Sequence, residues 1–189
     1  MDKERRKNAL IKYARKSLAL MVAGIIFIAF TVILSVCFIV AGAFSKELII
    51  AAGVMLLMGG LLMAVYFVSL SKLNKNIAKI EMNNGLEILL NDFENAGRAF
   101  NDRVVLGDVF IIGKNTGVIV SYGEITRIYQ YIHSTNGVED TRMLKANLAE
   151  GRTVDLCALQ LRGKSDDELN QVCAYICSNN PDVRVGYKT

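Results

Sequence analysis

The sequence has a single histidine, His133, one proline, no tryptophan and four cysteines. With no second histidine, a nucleophile–base pair has to use His133 itself, and no Ser or Cys is spaced to meet it. Cys157, Cys173 and Cys177 join His133 in a Cys3His set only on paper. Zinc sites present a tight cysteine knuckle in a loop, whereas Cys173 and Cys177 lie inside an amphipathic helical pattern. Small buried hydrophobes account for these thiols, and for Cys37 in an apolar run. The stretch Gly113–Gly117 lacks the Lys-Ser/Thr pair and the following helix of a phosphate loop. The acidic pairs Glu139–Asp140 and Asp166–Asp167 fall in a turn and a helix cap. The sequence reads as a non-enzyme with no metal and no cofactor, a cysteine-dependent enzyme being one alternative.

Charge is missing from two long stretches, Ser17–Ser45 and Leu48–Ser71. A helix needs about 20 apolar residues to cross about 30 Å of hydrocarbon, so both are long enough. A cleaved signal has an apolar core of only about 7–15 residues, shorter than the first run. The expectation is a two-helix transmembrane hairpin over 17–71, with spans at about 18–44 and 48–70. Its polar residues are Thr31, Ser35, Tyr66 and Ser69, and none ionises at membrane depth as coupled transport requires. Gly53, Gly60 and Ala64 fall on one smooth face of the second helix, suited to helix–helix packing or to homo-oligomers.

Basic residues flank these runs. Residues 1–16 form a basic tail, and Lys72, Lys75 and Lys79 form a collar over 72–84, read as a juxtamembrane helix. The short connection between the spans holds only Lys46. This asymmetry predicts a two-pass protein of the inner membrane with both termini cytoplasmic. From Glu81 onward acidic side chains outnumber basic ones by fifteen to eleven. No basic cluster lies on the folded part, which excludes nucleic acid as a partner. The three collar lysines are also candidate contacts for anionic lipid.

Residues 85–189 read as a small cytoplasmic α+β domain. Leu86, Leu89, Leu90, Phe93, Ala96 and Phe100 recur at helical spacing, with Glu87, Asn91, Asp92 and Glu94 on the wet side. From Arg103 the period moves towards two, with turns at Gly113–Gly117, Asn136-Gly137 and Glu150-Gly151. About six short strands in an antiparallel meander are expected. A helix follows, capped by Ser165 with Glu168, burying Leu169, Val172, Cys173 and Ile176 and stopped at Asn179-Asn180-Pro181. The residues after Pro181 suit a last edge strand.

The run from Leu106 to Tyr131 resembles small bacterial cytoplasmic domains of the pleckstrin-homology-like type that follow one or two membrane spans. Phe110, Ile119, Tyr122, Glu124, Ile125 and Ile128 match the strand pattern, and Leu169–Ile176 match the packing helix. The helix before the strands and the strand after the last helix depart from it. So does the missing basic loop of the phosphoinositide-binding members. The resemblance implies a sheet packed by helices and a role in protein interaction or assembly. On the strand, Arg127, Tyr129 and Tyr131 share a face with Ile125 and are the candidate protein interface. A peripheral module binding anionic lipid is the other alternative.

Overall fold

The computed structural model describes residues 2–42, 45–159 and 165–186 and divides the chain into two compact units. Residues 16–72 form one. Residues 1–15 and 73–189 form the other, so the folded domain begins at Leu73 and includes the N-terminal segment.

The smaller unit contains α2 (Leu18–Val40) and the first part of α3 (Lys46–Met82). Both helices are long and apolar enough to cross a membrane, with only 11% and 6% of their most apolar windows buried. A core helix of a soluble protein has most of its apolar surface covered, whereas these are apolar all round and open. Thr31, the polar residue buried here, donates its hydroxyl to Phe27 O at 2.7 Å, which satisfies it within its own helix. The helices approach at Gly24 and Gly59. A Cβ on Gly24 would stand 2.9 Å from Gly59 O, and one on Gly59 would stand 3.0 Å from Gly24 O.

In the larger unit the N-terminal segment is a helix, α1 (Lys3–Ala14), where the sequence reading left a tail. Leu10 and Ala14, four apart on one face, are fully buried. They pack with Leu73 and Ile77 of α3 and with Leu86, Leu89, Leu90 and Phe93 of α4 (Leu86–Asn95). Arg6 bonds Glu94 at 2.9 Å, Asn91 at 2.8 Å and Glu87 at 3.2 Å, and Lys7 bonds Glu81 at 2.7 Å. The end of α1 is capped from far along the chain. Asn115 and Gly117 donate backbone N–H groups to Tyr13 O and Ala14 O at 3.0 and 2.7 Å. Those carbonyls have no partner within the helix, so the Gly113–Gly117 turn closes α1 as well as its own hairpin.

α4 stops at Asn95, short of the Phe100 expected, because the chain turns into a strand. Among the described residues eight strands form two four-stranded sheets, where the sequence reading placed one meander of about six. The first is an antiparallel meander of β1 (Gly97–Ala99), β2 (Val104–Leu106), β3 (Phe110–Gly113) and β4 (Ile119–Ser121). Val105, Ile112 and Ile119 align across it and join the α1–α3–α4 cluster. Val104, Ile111 and Val120 face the other way, as alternation requires. They meet the second sheet, ordered β7 (Thr153–Ala158), β6 (Val138–Leu148), β5 (Ile125–Thr135) and β8 (Arg184–Val185). Its inner face, with Ile128, Leu144, Ala146 and Leu156, also receives Val172 and Ile176 of α5 (Ser165–Asn179). β8 pairs with β5 in parallel, the one parallel pair among the described residues. The β5–β6 turn holds Asn136 and Gly137 at φ 52° and 78°, the left-handed pair that a two-residue hairpin needs.

The cap expected at Ser165 falls on a side chain outside the described residues. Glu168, its proposed partner, accepts the backbone N–H of Phe100. Phe100, Asn101 and Asp102 all have φ between 54° and 63°, a left-handed turn linking β1 to β2. Such backbone is uncommon for non-glycine residues and needs outside support. Glu168, Tyr13 O–H donating to Asp102 O at 2.9 Å, and the pairing of Arg98 and Lys114 with the Asp102 carboxylate supply it.

Candidate functional site

The face of the second sheet turned away from the core is set by one irregularity. Ile125 pairs with Leu148 and Arg127 with Asn147, so Thr126 is an extra residue in β5. A bulge of this kind flips the alternation that follows. Ile125 therefore lies in the core with Ile128, and the expectation that it shares a face with Arg127, Tyr129 and Tyr131 is corrected.

The three candidate residues differ. Tyr129 is only 8% exposed, Arg127 is half-buried, and Tyr131 is 39% exposed. Lys145, on β6, holds its ammonium 4.3 Å from the centre of the Tyr131 ring and pairs with Asp155 of β7 at 3.1 Å. Stacking of a cation over an open ring keeps Tyr131 presented rather than collapsed onto the sheet. Beyond Met143, which pairs with Ala158, β5 and β6 continue without a described third strand. This two-stranded arm carries His133, whose Nδ1 lies 2.8 Å from Asp140 Oδ1, while Thr135 donates to Asp140 Oδ2 at 2.6 Å. These bonds, that from Thr135 foremost, lower the pKa of the Asp140 carboxyl.

At the other end of β5 lies a groove of about 650 Å³, lined by Thr126, Arg127, Asn147, Asn180, Asp182 and Arg184. Asn180 builds one wall. Its Nδ2 donates to Tyr122 O and Ile125 O at 2.7 and 3.1 Å, and its Oδ1 accepts Asp182 N–H at 3.1 Å. Thr126 donates to Asn147 O at 3.1 Å, and Asn147 Oδ1 accepts from Thr153 at 2.9 Å. The sequence reading proposed only Arg127 of this set as a site residue. Thr126 is its neighbour on β5, and the rest come from β6, the α5–β8 loop and β8, which no local pattern links.

Lys72, Lys75 and Lys79 are exposed, and no ion pair involves them among the described residues. Gly53, Gly60 and Ala64 are exposed, and a Cβ on Gly53 or Gly60 would meet nothing within 4 Å. Gly24 and Gly59 make the contact inside the hairpin, which leaves the Gly53–Gly60–Ala64 face open.

Cys157, Cys173, Cys177 and His133 are not brought together, and no group of three metal-ligating side chains occurs among the described residues. Cys157 is fully buried, which pushes its thiol up to about 12, and burial pushes Cys173 up to about 11. The reactive thiolate is then very scarce at neutral pH. Iodoacetamide should modify native Cys157 about three orders of magnitude more slowly than a free thiol at pH 7. Peptide mapping before and after denaturation measures this, and equal labelling in both states would contradict the burial.

Asp92 is a residue the sequence reading misplaced. Read as solvated, it is 6% exposed and accepts Asp108, Val109 and Phe110 N–H at 3.2, 2.9 and 2.8 Å. A Cβ on Gly107 would collide with this carboxylate, so the β2–β3 turn requires glycine there. The one signal in the sequence is Gly107-Asp108, a turn pair that does not announce a distant acceptor.

Compared with known proteins, the chain matches no family model, no curated protein and no solved structure.

Proposed function

We propose that this chain is a non-catalytic interaction module anchored in the inner membrane by a two-helix hairpin, with both termini cytoplasmic. The observation that carries it is the burial of Leu10 and Ala14 with Leu73 and Ile77 in one cluster. These residues precede the first apolar helix and follow the membrane part of the second. One folded unit claims both flanks, which supports a hairpin rather than spans of opposite fate. The excess of basic residues on those flanks supports a cytoplasmic side for both. Two stacked sheets with a C-terminal helix support the finer reading of a pleckstrin-homology-like domain, with β8 as an addition. The exposed Tyr131 and the groove beside Arg127 supply the surface for a protein partner.

Two experiments test the two halves. Single cysteines at Asp2, Ser45 and Asn179 in otherwise cysteine-free protein are treated with an impermeant maleimide on intact cells. Ser45→Cys should label from outside, and Asp2→Cys and Asn179→Cys only after permeabilisation. Labelling of Asp2→Cys in intact cells would end the topology. A photo-crosslinker at Tyr131 in native membranes should give a discrete protein adduct that the same probe at Ser178 does not. Identical patterns at both sites would end the interaction reading.

The exposed, unpaired collar favours a second reading, binding of anionic lipid through Lys72, Lys75 and Lys79. Each lysine near such a surface contributes about 1 kcal/mol. A fragment begun at residue 83 would lose Leu10, Ala14, Leu73 and Ile77 from its cluster, so the full chain is the right material. Replacing all three lysines with Gln should leave Tyr131 crosslinking unchanged if protein interaction is the role. Loss of the crosslink would favour lipid.

A further inference from the structure

Arg127 and Arg184 are direct partners across the parallel pair β5–β8, so both guanidinium groups leave the same face of the sheet. Like charges facing one another across strands are destabilising unless something neutralises them. Several arginines of this unit have partners: Arg6 has Glu94, Arg98 has Asp102, Arg152 has Glu150, and Arg103 donates to Ala158 O. Among the described residues neither Arg127 nor Arg184 lies within ion-pair distance of a carboxylate, although Asp182 lines the same groove. Asn147 spends its oxygen on Thr153 and retains its amide hydrogens as donors. The groove therefore gathers two guanidinium groups and an amide donor beside a single carboxylate, Asp182, that pairs with neither arginine, on a wall fixed by Asn180.

We propose that this groove receives a short acidic segment of a protein partner, one carboxylate lying against both Arg127 and Arg184. The assignment rests on the interaction reading above and names the chemistry of the partner. Guanidinium groups match carboxylates bidentately, and two side by side hold one carboxylate from two directions. From Glu81 onward, the segment that carries both sheets, acidic side chains outnumber basic ones by fifteen to eleven, and the basic residues that offset them in the folded unit lie in residues 1–15 and at Lys75 and Lys79. The sheet-bearing segment is thus net acidic, which favours a few carboxylates meeting the two arginines at contact range over a long polyanion. Tyr131, further along β5 on the same face as Arg127, extends the surface with apolar area, so the segment carries aliphatic residues beside its acids.

The test uses the full chain in neutral phosphatidylcholine nanodiscs. The probe is a labelled, amidated hexapeptide, Gly-Glu-Val-Glu-Leu-Gly, with a counterpart in which both Glu are Gln, followed by fluorescence anisotropy. Saturable binding of the acidic peptide is expected at up to millimolar concentration, with none for the Gln peptide. Arg127→Gln and Arg184→Gln should each weaken it about tenfold, and Lys75→Gln should not. Because the two guanidinium groups repel when the groove is empty, Arg184→Gln should also leave the melting temperature unchanged or higher. Four results would overturn the proposal: no saturable binding, equal binding of the Gln peptide, full affinity in both arginine variants, or a melting temperature lowered by Arg184→Gln. Loss of binding to phosphatidylserine vesicles in the arginine variants would assign the groove to lipid and overturn it as well. If the peptide fails while the Tyr131 crosslink persists, the groove assignment falls and the interaction reading stands.

Discussion

Asp92→Ala should lower the stability of the sheet-containing unit by about 3–5 kcal/mol, a large share of the about 5–15 kcal/mol typical of a domain. The carboxylate accepts three backbone N–H groups of the β2–β3 turn, and alanine leaves all three without a partner. Each orphaned donor costs about 1–3 kcal/mol, reduced where water reaches the turn. The acid lies in the second half of α4, towards the negative end of that helix, where a carboxylate is disfavoured. The turn holds it there, and it holds the turn. Asp92→Asn should recover part of the loss, since one oxygen still accepts while its amide faces another donor. Because the chain has no tryptophan, the transition is followed by tyrosine fluorescence in a denaturant titration of the full chain. A loss under about 1 kcal/mol for Asp92→Ala would mean that water replaces the carboxylate at little cost.

Gly59→Leu and Gly60→Leu should have opposite consequences, although the two positions are adjacent. At Gly59 a Cβ would stand 2.9 Å from Ile28 Cγ1 and 3.0 Å from Gly24 O, and a backbone oxygen cannot step aside as a flexible side chain can. The helices must separate by about 2 Å, at a cost of about 1–3 kcal/mol for an overpacked contact. At Gly60 a Cβ meets nothing within 4 Å, so the hairpin should stay closed. Spin labels at Phe30 and Leu57, both exposed, read the distance between the helices in nanodiscs, with the native cysteines replaced by serine. A wider separation in Gly59→Leu alone is the expected result. Equal distances in the two variants would show that the close approach at Gly24 is not what sets the hairpin. The open face at Gly53, Gly60 and Ala64 is then the one left for pairing between copies, and Gly60→Leu should lower any dimer fraction seen by crosslinking.

The parts of the fold legible in the sequence are those written in local periodicity. The two apolar stretches, the stripe of Leu86, Leu89, Leu90 and Phe93, and the Asn136-Gly137 hairpin turn each depend on neighbours within a few residues. Their character is set before any tertiary contact forms. The candidate surface was legible only in part. Arg127, Tyr129 and Tyr131 do share a face, but a single extra residue at Thr126 moved Ile125 to the other side. A bulge is specified by pairing with β6, and alternation along β5 does not encode it.

The sequence by itself determined that the chain has two helices able to cross a membrane, that basic residues flank them, and that a mixed α+β unit follows. Those features rest on composition and short-range order. Tertiary structure alone decided that the first helix belongs to that unit, that Asp92 is buried rather than solvated, and that Arg184 stands beside Arg127. In each case the partners lie far apart in the chain: Arg6 and Glu94, Asp92 and Phe110, Arg127 and Arg184. A hydrogen bond or a strand pairing is blind to sequence separation, so no local pattern records which residues will meet.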